Sequence, residues 1–428
     1  MAELRFLDLF AGAGGLSEGF IQAGFKPVAH IESDKAACFT LQTRMAYHWL
    51  KSIDKLDVYV DYLNGKLSRT EFYKIIPKHI TKTVINMEIS ENTLKTLFNE
   101  IDDLLKDSPL DLIVGGPPCQ AYSLVGRSCD SNKMLGDKRN YLYKFYGEFL
   151  QRYQPKYFVF ENVLGLLSAK DANGNYYFQE MRNLFKKLGY ETEYRILNAN
   201  DYGALQARKR IILVGRRGHQ TGFYPQLEID KPNVLVNEIF TDLPAIHAGE
   251  GSIRPCKMKK YTGKWLYDSG IKNNDIPVTW HIARPLNQQD SKIYRLVTDL
   301  WSREGKRMEY NDLPENLKTH KNRTAFADRF KVVAGNLSAS HTVLAHLAKD
   351  GHYYIHPDSY QNRSITPREA ARLQTFPDDY YFEGGTDKPS RTAAFRQIGN
   401  AVPVNLAYEI AVAIKLHLEG HGDKVVGI

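Results

Sequence analysis

The stretch DLIVGGPPCQAYSLVGR, from Asp111 to Arg127, sets a cysteine directly behind two prolines at the end of an apolar run. A structural thiol sits among apolar side chains inside a strand or helix, whereas Cys119 stands where the chain must leave a sheet. A thiol so placed can act as a nucleophile. VFENV, from Val159 to Val163, ends a second apolar run on Glu161, where partial burial favours a protonated carboxyl able to donate a hydrogen bond. LQARKRIILVG sets Arg208 and Arg210 two residues apart, just before or within a strand and therefore on one face. Taken singly, an inert buried thiol, a solvated carboxylate and surface charge would account for these residues. Converging at one sheet edge, they form a nucleophile, an acid and a cation pair.

FLDLFAGAGG runs from an apolar segment into a turn bearing Gly12, Gly14 and Gly15, then into a helical stretch. Glycines allow close approach of backbone to a ligand, and a helix N-terminus offers free N–H groups. Glu32 closes the next apolar run, at the offset where a carboxylate accepts from ribose hydroxyls. In a dinucleotide fingerprint framed on Gly12 the third glycine position is Ser17. A cofactor with adenosine but no pyrophosphate, S-adenosylmethionine above all, fits better than a nicotinamide dinucleotide.

These groups need a scaffold that gathers them. Short apolar runs alternate with amphipathic stretches through the first half, the pattern of a doubly wound, mostly parallel α/β sheet. Strands are predicted at 4–9, 27–31, 84–87, 110–114, 157–160, 192–197 and 210–214. Ligands in such sheets collect at the carboxyl ends of strands, where every cluster above falls. After Gly218 the texture changes to Pro-broken segments rich in Lys, Arg and aromatics, such as RPCKMKKYTGKWLYDSGIK from Arg254, which marks a domain boundary. In SITPREAARLQTFP, Thr366 reads as an N-cap, with Pro367 at the first helical position and Glu369 completing a capping box. The stretch 41–83 reads as a helical surface insertion of mixed charge.

Composition sets wider bounds. The 428 residues, 43% hydrophobic and 12% aromatic, can bury a large core in two unequal domains. Lys plus Arg number 57 against 49 acidic residues, a net charge of +8 that suits a polyanionic partner. Four scattered cysteines suggest neither a disulfide framework nor a zinc site, so no metal is expected and a reducing cytoplasm fits. The N-terminus lacks a secretory pattern and no apolar run approaches membrane-spanning length, so neither secretion nor a membrane partner is expected.

In order along the chain, FLDLFAGAGG, GGPPCQAYSLVGR, ENV, QARKR, RSITPREAARLQTFP and QIGNAVP resemble the motifs of the DNA cytosine C5-methyltransferases, of the bacterial restriction-modification type. Six motifs in family order across almost the whole chain make the resemblance specific. It implies a Rossmann-like S-adenosylmethionine-dependent fold with residues 1–217 as the catalytic and cofactor-binding domain. Residues 218–395 would be a smaller target-recognition domain with its scaffold, and 396–428 a C-terminal segment returning to the first domain.

The resemblance also implies a mechanism. The target cytosine leaves the duplex stack; the Cys119 thiolate adds to C6, activating C5 toward the methyl group of S-adenosylmethionine; loss of the C5 proton and release of the cysteine follow, leaving S-adenosylhomocysteine. Glu161 would hydrogen-bond ring N3, with Arg210 holding Glu161 and the base, and Arg208 supporting it or touching phosphate. Gly115, Gly116, Pro117 and Pro118 would form the stiff turn that projects Cys119. Phe10 would stack on adenine, Ala11, Gly12, Gly14 and Gly15 would pass the methionine portion, and Glu32 would take the ribose. Glu88 stands where relatives carry Asp for the adenine amine. Gly116, Pro118, Leu142, Asn400 and Ala401 would line the pocket. Gln120, Ser123 and Arg127, on a loop closing over DNA between Gln120 and Leu142, would contact DNA with Lys257, Lys259 and Lys260. Double-stranded DNA and a cognate endonuclease are the expected partners, with a monomer as the default. The alternatives are an RNA cytosine C5-methyltransferase and a non-catalytic DNA-binding regulator.

Overall fold

The structure, a computed structural model, describes residues 3–118, 138–273, 276–324 and 327–420. Strands β1 (Arg5–Leu9), β2 (Lys26–Glu32), β3 (Val84–Asn86), β4 (Leu112–Gly115), β5 (Tyr157–Asn162), β6 (Tyr190–Asn198) and β8 (Lys209–Arg217) form one seven-stranded sheet. Its order is β3-β2-β1-β4-β5-β8-β6. All seven strands predicted from the apolar runs are present, with ends shifted by at most three residues. Every pairing from β3 through β5 is parallel, and β8 runs antiparallel to both β5 and β6.

That topology assembles the polar clusters. From β1 the chain moves outward to β2 and β3, then returns to β4 on the other side of β1, leaving a crevice at the carboxyl ends of β1 and β4. Because β8 is reversed, its first residues arrive at this same edge: Asn162, at the end of β5, lies opposite Ile211. The short β7 (Gln206–Ala207) precedes β8 and pairs instead with Ser340–His341.

Helices cover both faces. Helix α1 (Gly15–Gln22) follows the glycine turn, and α2 (Lys35–Ser52), α3 (Leu56–Leu63), α4 (Arg69–Ile75) and α5 (Lys78–Thr81) lie between β2 and β3. Helices α6 (Leu94–Leu105), α7 (Leu142–Tyr153) and α8 (Tyr177–Lys187) bury Leu97, Tyr146 and Phe185 on one face, beside Leu7, Ile113 and Phe158. On the other face α1 packs with the last helix. The later chain contributes α9 (Trp265–Asp268), α10 (Gln288–Glu304), α11 (Pro367–Leu373), α12 (Arg391–Asn400) and α13 (Val404–Leu418). Phe6, Leu16 and Phe20 share a cluster with Leu406 and Ile410 of α13. A Cβ on Gly19 would stand 2.5 Å from Ala407, so that crossing requires glycine.

Two expectations are corrected here. The stretch 41–83 is no surface insertion: Tyr59 and Phe72 have no exposure, and they share a core with Trp280, Ile365, Phe376 and Phe382. Its charged residues misled, since Arg44 pairs with Glu18 at 2.6 Å and with Asp379 at 2.7 Å, all three buried. By composition, Arg391–Leu418 is long and apolar enough to span a membrane, with mean hydropathy 1.3 over an 18-residue window. Pro403 instead divides it into α12 and α13, and both helices pack into the core.

Helix α11 forms as its sequence predicts. The Thr366 side chain accepts from the Glu369 amide, Glu369 reaches back to the Thr366 amide, and Pro367 occupies the first turn. Cys38 and Cys256 are both free thiols; Cys119 and Cys129 lie outside the described residues.

Candidate active site

A cavity of about 410 Å³ opens at the carboxyl ends of β1, β2, β4 and β5. At its floor β1 gives way to Phe10, whose φ of +59° turns the chain into the glycine loop. The Gly12 amide donates to Glu32 Oε2 at 2.8 Å, while Oε1 accepts from the Ser33 and Asp34 amides at 2.8 and 2.7 Å. The Glu32 carboxylate is thereby fixed at the cavity wall before any ligand arrives. Phe10, Ala11, Gly12, Gly15 and Glu88 line the same space. Gly14 does not: with φ of +81° it caps α1, and a Cβ there would meet Leu41 at 2.7 Å and the Tyr380 hydroxyl at 2.9 Å. A Cβ on Gly15 would meet the Val402 carbonyl at 2.3 Å, so this glycine also serves packing against the C-terminal segment. Ser17, where a dinucleotide fingerprint has glycine, hydrogen-bonds buried His30 at 2.6 Å.

Asp8 was missed in the sequence, where it reads as part of an apolar strand. It has no exposed surface, lines the cavity, and neither carboxyl oxygen has a hydrogen-bond partner among the described residues. Burial, and then the nearby Glu32, hold its carboxyl well above the usual carboxylate range.

The opposite wall carries the second cluster. Gly115, with φ of +152°, would drive a Cβ to 2.1 Å from the Leu9 carbonyl. A Cβ on Gly116 would stand 2.6 Å from the Glu161 carbonyl and 2.7 Å from Oε2. Both glycines are therefore demanded by the close approach of β4 to β1 and β5. Asn162, buried at the end of β5, donates to the Pro117 carbonyl at 3.2 Å and ties down the turn that leads to Cys119. Glu161 Oε1 accepts from Arg210 Nε at 2.7 Å, with both side chains largely buried and both lining the cavity. Gly116, Pro118 and Leu142 line it as well.

Asn400 and Ala401 reach the cavity from the end of α12. Beside them Arg396 lies 3.7 Å from Asp34, across the rim. Arg208 is not with Arg210. It sits between β7 and β8, outside regular strand, so the two-residue spacing does not place both on one face; its guanidinium donates to the carbonyls of Val343 at 2.6 Å and Gly399 at 3.2 Å. Only 1% exposed, it is in no position to contact phosphate. Lys257, Lys259 and Lys260 are exposed; Lys259 and Lys260 line a separate open groove of about 600 Å³ with Tyr261 and Tyr267. Cys119, Gln120, Ser123 and Arg127 lie outside the described residues.

The donor set fits S-adenosylmethionine. Glu32 offers a fixed carboxylate, Gly12 leaves its surroundings open, and the unpartnered Asp8 carboxyl suits a ligand bearing positive charge.

An adenosine-sized crevice with a held glutamate–arginine pair at its far wall, on this strand order, defines a methyltransferase fold. Comparison with known proteins gives the family. The profile of the C-5 cytosine-specific DNA methylases matches residues 4–72 and 67–416. Type II methyltransferase M.Bpa9945I of Bacillus paralicheniformis is 39% identical over 451 residues, spanning 97% of this chain and 99% of that protein. Type II methyltransferase M.DdeI of Desulfomicrobium norvegicum is 30% identical, spanning 97% and 89%. Among solved structures, an E. coli prophage-encoded chain described as a DNA modification methyltransferase superposes with a TM-score of 0.62 at 22% identity, covering 97% of this chain and all of that one, a likeness of fold. The chain belongs to the C-5 cytosine-specific DNA methylase family, and it is a DNA cytosine C5-methyltransferase.

Proposed function

We propose that the enzyme methylates one cytosine within a fixed DNA sequence, using S-adenosylmethionine, as the modification partner of an endonuclease that cuts the same site. The observation that carries this reading is the Glu161–Arg210 pair facing the glycine loop across one cavity. Acid, cofactor loop and the Pro-Pro turn before Cys119 then address a single base. The type II relatives support the restriction-modification setting.

S-adenosylmethionine supplies an activated methyl group. The protein's residues do the rest. A flipped cytosine is needed because C6 is shielded in the stack. The Cys119 thiolate forms a bond to C6, and the electron pair displaced from the C5–C6 double bond gives C5 its nucleophilic character. Glu161, held at Oε1 by Arg210, directs its other oxygen toward ring N3 and stabilises the charge that builds there. After methylation the C5 proton departs to a base, the C6–S bond breaks, and the thiolate is restored. Asn162 fixes the turn from which Cys119 attacks. Phe10 would stack on adenine, Glu32 would accept from the ribose, and Asp8 would face the positively charged end of the cofactor. Residues 218–395, with Lys257, Lys259 and Lys260, would read and hold the duplex. One site acting on one flipped base needs no second subunit.

The test is incubation with S-adenosylmethionine and unmethylated genomic DNA, then sequencing of 5-methylcytosine at base resolution. The expected result is one short motif methylated by the unmodified enzyme and none by Cys119→Ser. Methylation scattered without a motif, or persisting in Cys119→Ser, would refute the reading.

A further inference from the structure

The segment Gln206–Arg210 binds two walls of the cavity at once. Gln206 has no exposed surface; its Nε2 donates to the Leu373 carbonyl at 2.6 Å and to Gln374 Oε1 at 2.7 Å, and its Oε1 accepts from the Val343 amide at 3.0 Å. Gln374, equally buried, passes the connection on: its Nε2 donates to the carbonyls of Ile398 at 2.6 Å and Ala401 at 3.2 Å. Those carbonyls belong to the end of α12, where Asn400 and Ala401 line the cavity. Arg208 closes a parallel link through Val343 and Gly399. Two residues on, Arg210 holds Glu161 on the opposite wall.

Chemistry explains why this connection has to be made by amides and a guanidinium. The Gly399 carbonyl of α12 cannot be met from the fourth residue on, because Pro403 supplies no N–H, and Arg208 takes it; the Ile398 carbonyl, which accepts from the Ala401 amide at 3.3 Å, and the Ala401 carbonyl beyond it turn to Gln374. Buried carbonyls left unpaired are costly. Gln374 binds the Ile398 and Ala401 carbonyls with a single amide, whose orientation is fixed by Gln206. The position of the α12 terminus is therefore set from the same short segment, 206–210, that holds Glu161 through Arg210.

We infer that Gln206, Gln374 and Arg208 are positioning residues that hold the cofactor-side wall in register with the Glu161–Arg210 pair. The inference rests on the proposed reading that this cavity takes S-adenosylmethionine. A purely structural role would behave differently: it would lower the melting temperature and move the constants for both substrates together.

Two variants of the full chain separate these cases. Gln374→Glu exchanges a donor for an acceptor of the same shape, and Gln206→Met removes the amide that orients Gln374. Calorimetry with S-adenosylmethionine in the absence of DNA, together with KM for each substrate, kcat and Tm, should show cofactor affinity about tenfold weaker in each variant, the loss of one well-made buried hydrogen bond. KM for DNA should stay within twofold, and the double variant should be little worse than either single one, since the residues act in series. Cofactor affinity within twofold of the unmodified enzyme in the variants, or both KM values rising in step with a fall in Tm, would overturn the inference. Should Gln374→Glu not fold, Gln206→Met alone decides by the same criteria. Failure of the unmodified chain to bind S-adenosylmethionine would instead bring down the reading of the cavity, and the inference with it.

Discussion

At Gly116 the requirement for a missing Cβ is set by Glu161 and not by a ligand. An alanine methyl would lie 2.6 Å from the Glu161 carbonyl and 2.7 Å from Oε2, against backbone that cannot move without shifting β5. Gly116→Ala should therefore displace the acid from Arg210 and cut kcat by roughly 10²- to 10³-fold, the scale of losing one preorganised group. Because Gly116 also lines the cavity, its effect on cofactor binding should be the smaller one, and single-turnover methylation alongside cofactor titration measures both. Asp8 tests the other wall. Its carboxyl is held well above the usual range, chiefly by burial and then by Glu32, so its stabilising contribution is complete below the unfolded pKa near 3.8 and is lost as pH rises toward the folded value. Asp8→Asn removes that penalty. The cofactor-free variant should melt slightly higher than the unmodified enzyme at pH 7 to 8, with the difference vanishing below pH 4, while its affinity for S-adenosylmethionine falls. An unchanged affinity would remove Asp8 from the cofactor site.

Among the elements, α11 is both the most plainly signalled in the sequence and the most deeply buried. Burial works to raise the Glu369 carboxyl, but Arg363, which it binds at 2.7 Å, pulls it well below the usual carboxylate range, with His356 and His281 adding to the effect. Breaking a buried pair leaves the other charge stranded, at a cost of about 3–5 kcal/mol. Glu369→Gln should lower Tm at pH 7, and the gap to the unmodified protein should narrow as pH drops below about 4.5, where the carboxylate's contribution is progressively lost. A gap constant from pH 7 to pH 3 would mean that the capping hydrogen bonds, and not the charge, account for the loss. The cap itself was legible because Thr366, Pro367 and Glu369 are neighbours in sequence, and the seven strands were legible because apolar runs bounded by turn residues need no distant information. Helices α3 and α4 were not. Their buried Tyr59, Tyr62 and Phe72 sit among Asp, Lys and Arg, and the surface that covers them, Tyr381 and Phe382, lies some 300 residues further on, as the separation of Tyr59 from Asp379 (320 residues) illustrates. The site divides in the same way. Glu161 and Arg210 announce themselves at strand ends, whereas Asp8 hides inside an apolar run, and Arg208 falls in a break between β7 and β8 that the alternation rule cannot anticipate.

Across the whole molecule, the change of texture at Gly218 does not coincide with a break in the core. One apolar cluster runs from Ala13 through Tyr59, Leu205, Val236 and Trp280 to Phe376 and Val404, and it encloses the buried pairs of Arg44 and the capping box of α11. The sheet half and the later half therefore share their largest apolar contact, which favours their unfolding as a unit. A smaller cluster stands apart: Ile293, Tyr294 and Val297 of α10 pack with Tyr310, Leu313, Phe330 and Ile355, all but Ile355 from within about forty residues of chain. Local stability follows the apolar contact that an opening must break. Native-state hydrogen exchange should find the amides of α10 opening in a sub-global event well below the free energy of global unfolding, while those of α11 and of β4 exchange only with the whole molecule. If S-adenosylmethionine binds as proposed, at the ends of β1 and β4 and against α12, it should slow exchange in α11 and β4 by the full linkage factor and leave α10 nearly unchanged. If α10 and α11 instead exchange together and respond equally to the cofactor, the smaller cluster is continuous in energy with the main core, and residues beyond Gly218 fold as an inseparable part of the catalytic body.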